Sequence, residues 1–332
     1  MIQPGWQHHS APINGIRMHW VEQGAGPALV LAHGFPHSWF TWHRLIPVLA
    51  AEGWRVIAPD LRGMGETEGP ADPAAYDVMQ TTDDLAGLLD HLGLAEAVFS
   101  GLDFGIFAIY DLARRYPERM TAIIGLENPH WPDRRELSPL AEAADWASRH
   151  FVHIHYFQES GVAEASLDAD PRKFLSRVYY ALSGDYDYRQ VLRHPPGTRY
   201  IDALPPAPPL PWRWLDTVEL EYLVSDYARS GFRGGLNWYR AMDLRWAQRH
   251  PWRDLPCIVP FYFIGSDHDI DLKLWHGADP LGEIHKVYSE VRAIRMVGKA
   301  GHLMHLERSD EIATIFIEFL ADIAAHLARQ PG

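Results

Sequence analysis

SGLDFGIFA, residues 100–108, decides how the rest of this chain is read. The segment leading into it, AEAVFSG (95–101), is short and apolar, like a buried strand. The segment leaving it has a helical pattern, and Gly101 and Gly105 flank the junction. Small residues on both sides let the backbone make a tight, strained turn that pushes its central side chain into the open. That side chain is Asp103. At a helix N-terminus the dipole and the free N–H groups favour an anion, so the carboxylate is held ionised and ready to attack. A plainer reading makes Asp103 a helix N-cap, a position Asp fills often. G-x-D-x-G alone does not decide between the two.

Working outward, strands alternate with helices. IRMHWVEQG (16–24) alternates like a strand, and GPALVLAHG (26–34), WRVIAPD (54–60) and TAIIGLE (121–127) are short apolar runs. Between them lie helical patterns such as TTDDLAGLLDHLG (81–93), expected to start at Thr81 or Thr82 and to stop at Gly93. Apolar strands separated by helices predict an α/β fold, a mostly parallel sheet covered on both faces. From about His130 to Trp246 the pattern turns helical, aromatic and proline-punctuated, with an extended connection at ALPPAPPLPW (203–212). The strand rhythm then resumes in VPFYFIG (259–265) and VRAIRMV (291–297). A closing helix from Ser309 places Ile312, Ile315, Phe316, Phe319, Leu320 and Ile323 on one face. The final strands are needed to finish the first sheet, so the expected division is a core (1–129 and 247–332) interrupted by a helical lid (130–246). The alternative is an independent second domain.

Composition narrows the partners. The 332 residues are 47% hydrophobic and 22% charged, as in ordinary globular proteins. A formal charge of −13 argues against nucleic acid or an anionic membrane surface. The one cysteine, Cys257, sits among apolar residues and reads as a small buried hydrophobe. No internal disulfide is possible, MIQPGWQHHS lacks the regions of a signal peptide, and no apolar run is long enough to span a bilayer. The expected location is the cytoplasm. Nothing in the sequence calls for a cofactor or a metal, and the oligomeric state is not legible.

Three further segments complete a reaction site. In LAHGFPHSW (31–39) a buried strand runs into His33-Gly34-Phe35-Pro36, a loop suited to supplying an oxyanion-hole amide. The donors would be the backbone N–H groups of Phe35 and of Phe104, the residue after Asp103; Pro36 has no N–H to offer. An ordinary Gly-Pro turn is the plainer reading. In MVGKAGHLMHLE (296–307) His302 follows the last expected strand and completes the chain order nucleophile, acid, histidine, with His305 as a local competitor. The orienting acid should come from YFIGSDHDID (262–271), where Asp267, Asp269 and Asp271 compete, and Glu127 is a further candidate.

Together these segments resemble the α/β-hydrolase-fold epoxide hydrolases. H-G-F-P, D-L-R-G-M-G (60–65), G-x-D-x-G and the late G-H span the core in order. HYFQESGVAEA (155–165) and SGFRGGLNWYR (230–240) are similar to the two lid segments of the soluble epoxide hydrolases. The resemblance implies a tyrosine from each lid segment reaching over the nucleophile, matched here to Tyr156 and Tyr239. It also favours Asp269 as the orienting acid. The family often has His before and Trp after the nucleophile, where this chain has Leu102 and Phe104.

The chemistry agrees with an aspartate nucleophile. A carboxylate attacking a carbonyl would give an anhydride, a poor intermediate, but at an sp³ carbon bearing a leaving group it gives a stable ester. Two phenols suit an epoxide oxygen, which leaves as an alkoxide and needs a donor. The expected reaction is therefore epoxide plus water to vicinal diol, on a small, apolar substrate. The nearest rival is a haloalkane or haloacetate dehalogenase, disfavoured by Phe104 and NWYR. A serine-type esterase would need an alcohol at position 103. A non-catalytic ligand-binding relative would be expected to lack a member of the triad.

Overall fold

The strands are β1 (Gln7–Ile13), β2 (Ile16–Gln23), β3 (Ala28–Ala32), β4 (Arg55–Pro59), β5 (Ala97–Gly101), β6 (Met120–Leu126), β7 (Phe261–Ser266) and β8 (Val291–Val297). They form one sheet in the order β1-β2-β4-β3-β5-β6-β7-β8. The structure is a computed structural model and describes residues 5–131 and 136–329. From β4 to β8 all neighbours are parallel, while β1 and β2 add an antiparallel edge. The parallel interior reads as continuous apolar runs because helices cover both of its faces. In β3 (ALVLA) and β5 (AVFSG) every residue is buried.

β1, QHHSAPI, carries no apolar run to announce it, and four of its seven residues face solvent. Its signal lies in the turn that follows. Asn14 and Gly15 both have positive φ, 46° and 77°, as a two-residue hairpin between β1 and β2 requires. The helix expected at 81–93 begins earlier, spanning Val78–His91. Asp77 is its cap, accepting the Gln80 N–H at 2.7 Å, and the Thr81 and Thr82 hydroxyls bond back to the carbonyls of Asp77 and Val78.

Between β6 and β7 the described residues contain helices and no strand, from Pro139–Ala147 to Met242–Arg249. Residues 205–212 are neither helix nor strand. These inserted helices lie over the C-terminal ends of the strands and are fastened to the core by buried polar contacts. Tyr227 Oη donates to the His37 carbonyl at 3.0 Å, and Trp238 Nε1 donates to the Arg62 carbonyl at 3.0 Å. Asp111 accepts from Arg245 Nη2 at 2.8 Å and from Arg249 Nε at 2.7 Å, and all three side chains are buried. Asp111 belongs to the helix Asp103–Arg115, so the inserted segment is bolted to the helix that starts at Asp103. The closing helix, Ser309–Leu327, buries the six apolar residues expected on its inner face.

Candidate active site

In the sheet β3 lies between β4 and β5, so the chain leaves β3 in one direction and returns to its other side. Strand ends at such a switch point open a crevice. The loop holding Phe35 leaves β3, and Asp103 leaves β5. Glu127 leaves β6, Asp269 leaves β7 and His302 follows β8. Five separate loops thus converge on one place.

Asp103 starts its helix at φ +49°, a left-handed conformation that costs a non-glycine residue strain. The turn is held against β3. Leu102 N donates to the Ala32 carbonyl at 3.2 Å, and a Cβ on Gly105 would come within 2.4 Å of that same carbonyl oxygen. Phe35 N donates to Asp103 Oδ1 at 2.7 Å. Asp103's own N–H donates to Glu127 Oε2 at 3.0 Å. Phe104 N makes no hydrogen bond to Asp103; as a first-turn amide it has no acceptor within its helix. The Phe104 ring packs edge-on against Tyr239, with centroids 4.7 Å apart, and the neighbouring Leu102 is fully buried.

His302 is buried among carboxylates. Its Nε2 lies 3.9 Å from Asp103 Oδ2 and 3.2 Å from Glu127 Oε2, and its Nδ1 lies 3.5 Å from Asp269 Oδ2. Burial alone would lower the imidazole pKa, but Glu127, Asp269 and the contact with Asp103 more than offset it and hold the ring well above its usual range. Glu127 is pushed the same way, well above an ordinary carboxylate, by burial first and then by Asp269 and Asp103, against the pull of His302. Of the aspartates competing after β7, Asp269 is the one on Nδ1, and its other oxygen caps the N–H of Asp271 at 2.7 Å. Asp267 is exposed and accepts from Lys299 N at 2.8 Å. Asp271 accepts from Asn128 Nδ2 at 3.1 Å and borders the cavity, where burial raises it to about 6. Glu127 lies on the opposite ring nitrogen from Asp269. His305 is turned away, with its Nε2 2.6 Å from Thr41 Oγ1.

The cavity above Asp103 is lined by Phe104, Phe107, Phe157, Tyr239, His153 and His302, among others. Burial, followed by the charge of Asp103, pushes the Tyr239 phenol well above its ordinary pKa, so it stays protonated. Its hydroxyl has no hydrogen-bond partner among the described residues. Tyr156 does not join it. It lies outside the cavity lining, half-buried, with its hydroxyl 3.2 Å from Ser166 Oγ. The match that placed Tyr156 over the nucleophile is therefore corrected by the structure. The reason is helical phase: in the short helix His153–Tyr156 the inward face is marked by the fully buried Phe157, and the residue four positions earlier on that face is His153. That i, i+4 relation was the signal available in the sequence.

Two groups among the described residues bring three ligand-type atoms within 4.8 Å of one another: Asp269, Asp271 and His302, and separately His8, His19 and Glu66. In the second, His19 is already committed to Asp60 at 2.7 Å. The first is the histidine–carboxylate cluster itself.

Residues 27–153 match the family model described as alpha/beta hydrolase fold. The chain is 34% identical to epoxide hydrolase A of Mycobacterium tuberculosis over 314 residues, 93% of this chain and 96% of that one. It is 32% identical to epoxide hydrolase 1 of Siraitia grosvenorii over 319 residues, 95% of this chain and 98% of that one. Among solved structures, epoxide hydrolase A from Mycobacterium thermoresistibile superposes with a TM-score of 0.87 at 36% identity, covering 95% and 98% of the two chains. An epoxide hydrolase from an endophytic Streptomyces gives a TM-score of 0.91 at 32% identity over 97% of each chain.

Proposed function

The chain belongs to the epoxide hydrolases of the α/β-hydrolase fold, and on that premise we propose that Asp103 opens the epoxide and His302 drives hydrolysis of the resulting ester. It is an epoxide hydrolase, converting a small-molecule epoxide and water to a diol; the dehalogenase alternative is not favoured. In the first step an Asp103 oxygen forms a bond to an epoxide carbon, the C–O bond breaks, and the oxygen takes the electron pair and the Tyr239 proton. In the second step water gives a proton to His302 Nε2 and adds to the Asp103 carbonyl carbon. The tetrahedral oxyanion is held by the N–H groups of Phe35 and Phe104. Collapse expels the diol oxygen, which takes the proton from His302. The regenerated Asp103 carboxyl then loses its proton, which returns to the Tyr239 phenolate. Asp269, on Nδ1, orients the imidazole.

The observation that carries this reading is the placing of Asp103 Oδ2 3.9 Å from His302 Nε2, with the Phe35 N–H already on Oδ1. The electrostatics also reset between steps. Esterification removes the Asp103 charge that helps hold a proton on His302, leaving the imidazole freer to act as a base. Against a halide leaving group, the indole N–H of Trp131 is spent on Asp111 and that of Trp238 on the Arg62 carbonyl.

The apolar lining of Phe104, Phe107, Phe157 and Leu182 supports an apolar substituent on the epoxide. The core and lid division at residues 130 and 246 belongs to the same reading, and so does a cytoplasmic location. For location, the supports are a single buried cysteine and the absence, among the described residues, of any helix long and apolar enough to cross a membrane.

The test is the intact mass of His302→Ala after incubation with styrene oxide and, separately, with a haloalkane. The expected result is gain of the whole epoxide's mass, mapped to Asp103. Alkyl gain from the haloalkane would mean a dehalogenase. No adduct on the variant together with no diol from the wild type would overturn the reading.

A further inference from the structure

Of the three lid tyrosines that border the Asp103 cavity, Tyr188 and Tyr200 bond to each other, so Tyr239 is the one phenol with a hydroxyl to spare, and where the resemblance implied a second donor stands an imidazole. His153 borders the same cavity as Asp103 and Tyr239. Its ring stands at 90° to that of Tyr239, with centroids 5.8 Å apart. The exposed part of this half-buried residue opens on the cavity, because the rest of the ring is enclosed by aromatics. Tyr200 stacks on it at 5.7 Å, and Phe157 and Tyr188 meet it edge-on at 5.9 Å and 6.2 Å.

The two ring nitrogens have different surroundings. Nδ1 lies 3.4 Å from Tyr188 Oη, which is itself 2.7 Å from Tyr200 Oη. Nε2 has no protein partner among the described residues. With Tyr200 donating to Tyr188, the Tyr188 proton points at Nδ1, and the imidazole must then carry its own proton on Nε2. The reverse chain is also self-consistent, with Nδ1–H donating outward and Nε2 left as an acceptor. Two charges choose between them: the Asp103 carboxylate across the cavity and the alkoxide that forms when the ring opens. Both favour an N–H facing the cavity.

The geometry points to His153 as the second hydrogen-bond donor to the epoxide oxygen, acting beside Tyr239 through Nε2–H. This rests on the epoxide reading of the Asp103 site. The two donors divide the work. Burial pushes the imidazole down to about 4 against the pull of Asp103, so His153 is neutral near pH 7 and carries one N–H. A neutral imidazole N–H is a much weaker acid than a phenol. His153 therefore stabilises charge on the oxygen without transferring a proton, and Tyr239 supplies the proton. The tyrosine pair Tyr188–Tyr200, which borders the same cavity and is bonded to itself, fixes which nitrogen is the donor.

The test separates ring opening from ester hydrolysis by single turnover, following formation and decay of the Asp103 ester with styrene oxide. His153→Phe keeps the ring and removes the donor. Ester formation should fall about 10²- to 10³-fold, the range for losing one preorganised donor, while ester decay is unchanged. His153→Gln, which restores an N–H, should recover most of the loss. Ester formation at the wild-type rate in His153→Phe would overturn the assignment. So would equal slowing in both variants, since packing alone would then be the cause. If His153→Phe fails to fold, as judged by circular dichroism, His153→Gln against His153→Leu decides in the same way. Failure of the epoxide reading looks different: the wild type itself would then form no ester and no diol.

Discussion

Glu127 Oε2 sits 3.2 Å from His302 Nε2, on the same nitrogen that faces Asp103. The imidazole thus has a carboxyl group at each nitrogen, Asp269 at Nδ1 and Glu127 at Nε2, with Asp103 and Asp271 alongside. His302 acts as a base only when unprotonated, and the carboxylates that raise its pKa push the acid limb of ester hydrolysis to higher pH. Glu127→Gln removes the strongest of them and should shift that limb to lower pH, measured as decay of the Asp103 ester against pH. An unmoved limb would mean that Glu127 is uncharged throughout and has no hold on His302.

Asp269→Asn should slow ester decay by about 10²- to 10⁴-fold, the range of a general base and its orientation, and leave ester formation unaffected. Asp269 is the carboxylate on Nδ1, while Glu127 is on the other nitrogen. Rapid-quench mass measurements on single and double variants test this. If Asp269→Asn decays at the wild-type rate and Glu127→Gln alone stalls, Glu127 is the acid that matters; stalling only in the double variant would mean that either acid suffices.

Tyr239→Phe should slow ring opening about 10²-fold or more, since it removes the proton donor. Tyr156→Phe should leave it unchanged, because that hydroxyl faces Ser166. Stopped-flow alkylation of the two variants distinguishes them. The reverse pattern would restore the sequence match and contradict the structure.

Asp111→Ala should cost about 3–5 kcal/mol of stability, since it removes the buried carboxylate that Arg245 and Arg249 both bond. Urea unfolding measures this. A loss below about 1 kcal/mol, the range of exposed pairs, would show that the cluster is hydrated.

Much of this was legible in the chain because apolar content and turn chemistry report local structure directly. The buried strands, the elbow at Asp103, the Phe35 loop and the position of His302 all rest on short segments whose pattern is set by their immediate neighbours. β1 leaves little mark in the sequence because an edge strand with solvent on one side needs no apolar run. The Val78–His91 helix starts early because Asp77 caps it and the two threonines bond to the preceding carbonyls. The lid was harder. A match on tyrosine identity cannot tell which face of a four-residue helix points inward, and the phase set by Phe157 favours His153 over Tyr156. Spacing could not rank the acids around His302 either: Asp267, Asp269 and Asp271 crowd one loop, Glu127 comes from another, and their order depends on three-dimensional distance.

Phe35 has a place in two structures at once. Its backbone N–H holds Asp103 Oδ1, while its ring meets Phe157, Phe174, Tyr227, Phe232 and Tyr239 at centroid distances of 5.8–6.4 Å. The amide that steadies the nucleophile is therefore levelled by aromatic packing in the roof above it. Any change that lets those rings resettle, even far from the reacting atoms, tilts this one peptide plane. Drift among relatives in this aromatic nest would then retune the speed of the enzyme while leaving every reacting group in place.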